Sequence, residues 1–365
     1  MKEVLFGIVV IGILSGFLLF RRKTIPNRKD DEGFETISVI IPARNEEKNL
    51  PFLLQSLQNQ TIKPLEIIVV DDHSEDRTKE IAREFNVTCI SVTDPPKGWT
   101  GKTWAVWNGY LHSNGEILAF FDADIRLEPD ALRVLISARK HFGSVLSVIP
   151  YHTTEKFYEK LAMIVNLLSV FTFTSPFETN STRKGLYGSC IITTRKDYEK
   201  IGGHKSIQSE ILDDLSLGAK FQQANIPVTN FIGKPFVSFR MYPNGLKSEI
   251  EGFAKSAAIG ATMFTKKTLF FIILWLIGLF TSELFLLFYQ TTYFYPLLIG
   301  YLLYMIQIYL FNRYIGQFGI IQPLIHSLSA LFFLIVIFYS FYQSKFRKSV
   351  LWKGRYVSVG RGGMR

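Results

Sequence analysis

Two aspartates two positions apart, Asp122 and Asp124, follow the apolar run Ile117–Phe121. At the C-terminal end of a strand, residues at i and i+2 point to the same side. Two carboxylates so placed are hard oxygen ligands that suit Mg²⁺ or Mn²⁺, with phosphate oxygens completing the shell. Taken alone, such a pair is also ordinary turn chemistry, because Asp favours turns. Three other groups bear on the choice. Asp71 and Asp72 end a second apolar run, Leu65–Val70. A carboxylate there could accept an N–H from a ligand or cap a helix. Pro42-Ala43-Arg44-Asn45-Glu46 ends a third run. Asp213-Asp214 opens a helical segment, where acids suit the helix dipole as well as proton abstraction.

The elements that must position these residues alternate in type. Strands are expected at Thr36–Ile41, Leu65–Val70, Val87–Val92, Ile117–Phe121 and Ser144–Pro150. Helices are expected at Glu46–Gln60, from a Ser74 cap through Phe85, at Lys102–Leu111 and at Asp130–His141. This order predicts an α/β fold with a mostly parallel sheet, which binds ligands off the strands' C-terminal ends. Pro42–Glu46, Asp71-Asp72 and Asp122-Ala123-Asp124 then fall on one edge. Downstream, Tyr187–Thr194 reads as a strand, Arg195–Ile201 as a short helix stopped by Gly202-Gly203, and Ile211–Ala224 as a helix. Pro227–Phe239 reads as extended and Lys247–Thr262 as an amphipathic helix. Lys156–Phe173 is apolar but short and interrupted by Asn166, which suits a buried or interfacial segment.

The chain has 365 residues, a formal charge of +10 and a mean hydropathy of +0.17. Its apolar excess is localised. Val4–Phe20 carries no charge and precedes Arg21-Arg22-Lys23, Leu269–Phe311 has Glu283 as its one charge, and Ile320–Ser344 has none. Such stretches suit transmembrane helices, the first being a signal anchor. Basic residues cluster beside them, which fits a cytoplasmic face against an anionic lipid bilayer. Because the charge follows the apolar segments, nucleic-acid binding is not expected. Cys89 and Cys190 need no pairing, and the six histidines show no zinc spacing. The expected organisation is an anchor at 1–23, a linker at 24–35, a cytoplasmic catalytic domain at 36–262, membrane segments at 263–344 and a basic tail at 345–365. One conflict remains in it. Three full C-terminal crossings would place the basic tail outside, so one segment should be interfacial or re-entrant, with Glu283, Pro296 and Pro323 as candidate interruptions.

Ile41–Glu46, Val69–Thr78, Gly98-Trp99-Thr100-Gly101-Lys102 and Asp122-Ala123-Asp124, in this order, resemble the inverting glycosyltransferases of family 2, with the GT-A fold. The resemblance covers about residues 36–260. It departs at His73, where the family usually has Gly. The resemblance implies a UDP-sugar donor, with Asp72 beside Asp71 reading the uracil and Pro42, Ala43 and Glu46 forming the nucleoside pocket. It puts Lys102 beside the nucleotide, Asp124 on the metal, and Asp122 on ribose or a metal-bound water. Asp213-Asp214-Leu215 resembles the element carrying the catalytic base, which implies Asp214 with Asp213 supporting, although Asp replaces the usual Glu and leaves the pair's order open. Arg240, and Arg355 in the Trp352-Lys353-Gly354-Arg355 tail, are candidates for the diphosphate.

A second set of motifs is more restricted. Tyr151-His152, Lys156, Tyr158, Gly202-Gly203-His204, Phe239-Arg240-Met241-Tyr242, Gly316-Gln317-Phe318 and the tail resemble bacterial glycosyltransferases of carotenoid biosynthesis. This implies transfer of glucose from UDP-glucose to a lipid acceptor, the carboxylate of a C30 apocarotenoid. A carboxylate is itself nucleophilic, so Asp214 would then orient it more than deprotonate it. Transfer to ceramide, diacylglycerol or polyprenyl phosphate is the alternative, and a non-catalytic membrane scaffold a remote one. His204 could line the acceptor pocket or simply pack.

Overall fold

The computed structural model describes residues 2–27, 35–179, 181, 184–210, 212–260, 264–343, 345, 349–352 and 355–358. An apolar helix, α1 (Lys2–Leu19), precedes the α/β unit. That unit runs β1 (Ile37–Ala43), α2 (Leu50–Gln58), β2 (Glu66–Asp71), α3 (Thr78–Glu84), β3 (Thr88–Ser91), α4 (Gly101–Leu111) and β4 (Ile117–Phe121). It continues with β5 (Ile125–Leu127), α5 (Ala131–Phe142), β6 (Val145–Ile149) and β7 (Tyr151–His152). After a 3-10 turn at Tyr158–Ala162 come α6 (Met163–Thr174), β8 (Cys190–Thr194), α7 (Arg195–Lys200), α8 (Asp213–Gln223), β9 (Val228–Ile232) and β10 (Val237–Phe239). The C-terminal part holds α9 (Leu246–Gly260), α10 (Lys266–Glu283), α11 (Phe294–Ile315), α12 (Ile321–Leu324) and α13 (His326–Tyr342), then a hairpin of β11 (Ser349–Trp352) and β12 (Arg355–Ser358).

Seven strands form the main sheet, in the order β3-β2-β1-β4-β8-β6-β9. All neighbours are parallel except β8, which runs against β4 and β6. The register sets Ala43 opposite Asp71 and Ile40 opposite Phe120, so β1, β2 and β4 end on one edge, as the alternation predicted. Pro42 is tolerated in this central strand because pairing with β4 stops at Ile40, so its missing N–H costs no ladder bond.

Two expected helix starts move. α2 begins at Leu50, because Glu46–Asn49 forms a turn in which the Asn49 and Leu50 N–H groups donate to the Glu46 carbonyl. Ser74 does not cap α3. Its hydroxyl accepts from the Asn45 N–H at 3.0 Å, while Asp76 accepts from the Thr78 N–H at 3.0 Å. Short polar side chains compete for such N–H groups within a few residues of one another, and spacing alone does not rank them.

A second apolar cluster lies beside the sheet and joins α1, α6, α10 and α11 through side chains such as Val9, Phe171, Trp275 and Tyr304. Gly12 of α1 faces Gly278 of α10 closely enough that a Cβ on Gly12 would stand 2.9 Å from the Gly278 Cα. Small residues permit such backbone approach between apolar helices. Among the described residues two helical stretches, Lys266–Leu286 and Phe294–Ile315, are long and apolar enough to cross a membrane, and α1 and α13 are shorter apolar helices. α6 is twelve residues long, and Met163, Ile164, Leu167, Val170 and Phe171 on it are buried in this cluster.

Candidate active site

A cleft of about 550 Å³ opens over the shared edge of β1, β2 and β4. Pro42, Ala43 and Glu46 line one wall, and Asp72 lines it beyond them. Asp122 and Asp124 form the floor, with Lys102 and Asp213 opposite. Eight residues singled out from the sequence therefore share one cavity, although they span 172 positions of the chain.

The β2 end separates its two aspartates. Asp71 is buried; it accepts the Ser74 N–H at 3.1 Å and sits 3.5 Å from the Lys79 ammonium, so it braces the turn and is not part of the cleft wall. Asp72 faces the cleft, with the Arg44 guanidinium donating to its carbonyl at 3.0 Å and lying 3.8 Å from its carboxylate. Between that pair and Ser74 the chain turns through His73 at φ +56°, a left-handed conformation. Gly takes it without strain, which accounts for the residue usual at this point. His73 takes it with its ring 3.3 Å from the Asp72 carboxylate.

Lys102 lies in the first turn of α4, which Thr100 caps by accepting the Thr103 N–H. The helix dipole disfavours a cation there. Three carboxylates compensate. Its ammonium is 3.0 Å from Asp122 and 3.9 Å from Asp213. Burial works against its charge, but Asp122, Asp213 and Asp214 outweigh that and hold Lys102 above the ordinary lysine range.

Asp213 and Asp214 open α8 but face different surroundings. Asp213 lines the cleft. Asp214 accepts the Gly188 N–H at 3.0 Å and the Leu215 N–H at 3.0 Å, which fixes its carboxylate against the loop before β8. Burial, then the Asp213 charge, pushes Asp214 up to about 6, against the lowering effect of Lys102.

Asp122 and Asp124 offer two hard oxygen ligands, and among the described residues no group of three or more His, Cys, Asp or Glu could enclose a metal. That donor set fits an ion that keeps water or phosphate oxygens, such as Mg²⁺ or Mn²⁺, and does not fit a closed structural site. Lys102 engages Asp122 at 3.0 Å.

Arg240 is not brought to the cleft. Its guanidinium is 2.8 Å from Glu159 and 2.7 Å from Glu155, so it closes the base of the loop that follows β10. The next residues, Met241 and Tyr242, do line the cleft, as do Asn244 and Ser248, which the sequence reading missed. Asn244 reaches across the mouth to the Lys48 ammonium at 2.7 Å. In the Phe239-Arg240-Met241-Tyr242 motif it is Met241 and Tyr242, not Arg240, that reach the cleft. Arg355 lies in β12, and its side chain is outside the described residues.

His204 is a packing residue. Its Nδ1 is 2.7 Å from the Tyr198 hydroxyl, and burial pushes it down to about 4. The more restricted motifs meet elsewhere. His152 meets Phe318 edge-on at 5.5 Å, its carbonyl accepts the Gln317 N–H at 2.7 Å, and Thr154 donates to the Gln317 carbonyl at 2.7 Å. They clasp the α/β unit to the end of α11.

The glycosyl transferase family 2 model matches residues 38–202. A 4,4'-diaponeurosporenoate glycosyltransferase of Staphylococcus haemolyticus is 38% identical over 98% of this chain and 99% of its own length. One from Staphylococcus aureus strain N315 is 34% identical over 99% of both chains. Among solved structures, a mannosyltransferase from Pyrobaculum calidifontis in complex with GDP-mannose and Mn²⁺ has the same fold, with a TM-score of 0.57, 14% identity and 94% and 96% of the two chains covered. With its cleft built on the parallel strand ends and its full-length likeness to these enzymes, this chain belongs to glycosyltransferase family 2 and is a glycosyltransferase of GT-A fold.

Proposed function

We propose that this enzyme transfers glucose from UDP-glucose to the carboxylate of a C30 apocarotenoid, at the cytoplasmic face of the cell membrane. The observation that carries the donor half is the pair Asp122 and Asp124 in one cleft with Asp72 and Lys102. Asp72 would accept the uracil imide N–H, and Glu46 sugar hydroxyls. A divalent ion bound chiefly by Asp124 would neutralise the departing diphosphate. Lys102, already charged in a nest of carboxylates, would turn to that diphosphate when it arrives. In the transfer an acceptor carboxylate oxygen bonds to the sugar's anomeric carbon as its bond to the diphosphate breaks, and UDP leaves. No proton need be removed. Asp214, its pKa raised to about 6 by burial and the Asp213 charge, would carry a proton below that pH and there hydrogen-bond the acceptor carboxylate instead of repelling it.

The names of the full-length relatives support the acceptor. The membrane assignment rests on α1, α10 and α11, flanked by Arg21, Arg22, Lys23, Lys266 and Lys267, which suit anionic headgroups. The conflict over the tail resolves if α12 and α13 are re-entrant. They leave the clasp at His152, touch Glu283 at the far end of α10 through His326 and Ser327, and return until Ser340 donates to the Ala254 carbonyl of α9. The tail then lies on the catalytic side. Arg355 there is proposed to reach the diphosphate.

The test is incubation of membranes holding the full chain with UDP-glucose and an apocarotenoid monocarboxylic acid. A glucosyl ester by mass spectrometry, formed with Mn²⁺ or Mg²⁺ and lost in chelator, is expected. Activity that persists in chelator removes the metal. A second reading, transfer to a hydroxyl of ceramide, diacylglycerol or another lipid, is favoured by the same Asp214 pKa, which also suits a general base. Hexosylated native lipids without an ester would establish it.

A further inference from the structure

The site must receive an apolar molecule whose reactive end is polar, yet the cleft described above is lined by charge. Tyr187 stands where the two requirements meet. Among the described residues it is the one partly buried hydrophobic side chain packed against both the core of the sheet and the membrane-side cluster of α1, α6, α10 and α11. On the membrane side its ring meets Phe173 of α6 edge-on at 5.3 Å, and Phe173 in turn meets Phe264, just before α10, at 5.5 Å. On the catalytic side its ring lies 6.5 Å from Phe239. Burial, with the Asp124, Asp214 and Asp122 charges, pushes its phenol up from the ordinary tyrosine range.

Its position relative to the reacting end is fixed. The Ser147 hydroxyl accepts the Tyr187 N–H at 2.6 Å and donates back to the Tyr187 carbonyl at 3.1 Å. The following residue, Gly188, supplies the N–H that holds Asp214. A Cβ on Gly188 would stand 2.9 Å from the Asp214 carboxylate, so this loop and that acid are in van der Waals register.

We infer that Tyr187 is an acceptor-binding residue, its ring guiding an apolar chain out of the membrane-side cluster and its hydroxyl hydrogen-bonding the acceptor carboxylate beside Asp214. The inference rests on the lipid-acid reading of the acceptor. It goes beyond that reading by naming where the chain enters, between α6 and the start of α10, and which donor meets its polar end. A phenol is suited to this place because one face is apolar and the tip is polar. An arginine would bind the carboxylate more tightly, but would also pair with Asp122, Asp124 and Asp214 and compete with a divalent ion for Asp122 and Asp124.

The test uses the full-length protein in liposomes with UDP-glucose and an apocarotenoid monocarboxylic acid. Tyr187→Phe keeps the ring and loses the donor. It should raise the acceptor KM about tenfold or more, the effect of removing a hydrogen bond to a charged group, while the UDP-glucose KM stays at the wild-type value. Tyr187→Ala should also erode the preference for a long polyene acid over a short-chain one. Calorimetric UDP titration with Mn²⁺ checks that the donor cleft of each variant is intact. An unchanged acceptor KM in Tyr187→Phe, with ester still formed by the wild type, overturns the Tyr187 assignment alone. Absence of any ester from the wild type overturns the acceptor reading, and the Tyr187 assignment falls with it.

Discussion

The two sides of this site are built on different principles. On the donor side, three parallel strands end in register and each delivers polar groups directly from its backbone turn. Those groups are cross-braced: Arg44 to Asp72, Lys79 to Asp71, Lys102 to Asp122 and Asp213. On the side proposed to face the membrane, the elements are long helices joined by apolar packing, tied back to the sheet by links such as the His152–Gln317 clasp, the Ile232 N–H to the Lys23 carbonyl and Lys234 to the Arg313 carbonyl. The contrast matches what each side is proposed to bind. A nucleoside diphosphate is recognised by fixed charges and hydrogen bonds, which strand ends hold rigidly. A polyene tail offers only area, which packed helices and aromatic rings supply.

If that division is right, damage to the donor side should be the more severe. Asp124→Ala removes the proposed metal ligand. It should lower transfer by at least about 10³-fold, the scale of several kcal/mol of lost charge stabilisation, and abolish Mn²⁺-dependent UDP binding by calorimetry. Unchanged turnover would move the ion elsewhere. Lys102→Ala comes next, at about 10²-fold, a loss typical of one electrostatic donor to the developing charge. It carries a second signature. Lys102 lowers the Asp214 pKa, so its removal should push any Asp214-dependent limb of the pH profile above pH 6. A limb that does not move would show that the ammonium and that carboxylate are not coupled.

Arg240 tests the boundary between the two sides. Glu159 is fully buried, and although burial pushes its pKa up, the Arg240 hydrogen bonds and the Glu155 and Lys156 N–H groups hold it below the usual range. Arg240→Ala should therefore cost about 3 kcal/mol of stability, because it strands a buried carboxylate. It should appear as a lower melting temperature of the detergent-solubilised protein, with the UDP-glucose KM within a few-fold of wild type. A large rise in that KM without loss of stability would return Arg240 to the diphosphate.

The same contrast governs what the sequence revealed. Strand ends are legible because an apolar run followed by acids has little else to be, and Ile117–Phe121 with Asp122 and Asp124 was read to the residue. At His73 the sequence shows only a departure from the usual Gly, and the left-handed backbone there is the conformation Gly would serve. What failed was side-chain direction. Asp71 and Asp72 are neighbours and look alike, yet the turn sends one to Lys79 and the other to the cleft. Arg240 looked like a phosphate ligand until Glu159, some eighty residues earlier, was found beneath it. Tyr187 carried no signal at all, because its place depends on two clusters meeting, and neither can be deduced from local pattern. The motifs Tyr151-His152 and Gly316-Gln317-Phe318 were informative as a set, but only the fold showed that they touch.

The smallest expected effect is the one that separates the two acceptor chemistries. With Asp214 raised to about 6 from an ordinary value near 3.8, it holds its proton over a range in which a free lipid acid is already ionised. Below about pH 6 it donates to the acceptor carboxylate; above it, two anions must share the site. The acceptor KM should therefore climb several-fold as pH rises through 6 in the wild type. In Asp214→Asn the amide donates at every pH, so the KM should be flat and the low-pH rate largely kept. An alcohol acceptor reverses both signs. The ionised form would then be the useful base, the rate would rise through pH 6, and Asp214→Asn would lose it. Initial rates over pH 5 to 8 with saturating UDP-glucose distinguish the two, because a general base and a hydrogen-bond donor need opposite charge states of one carboxyl group.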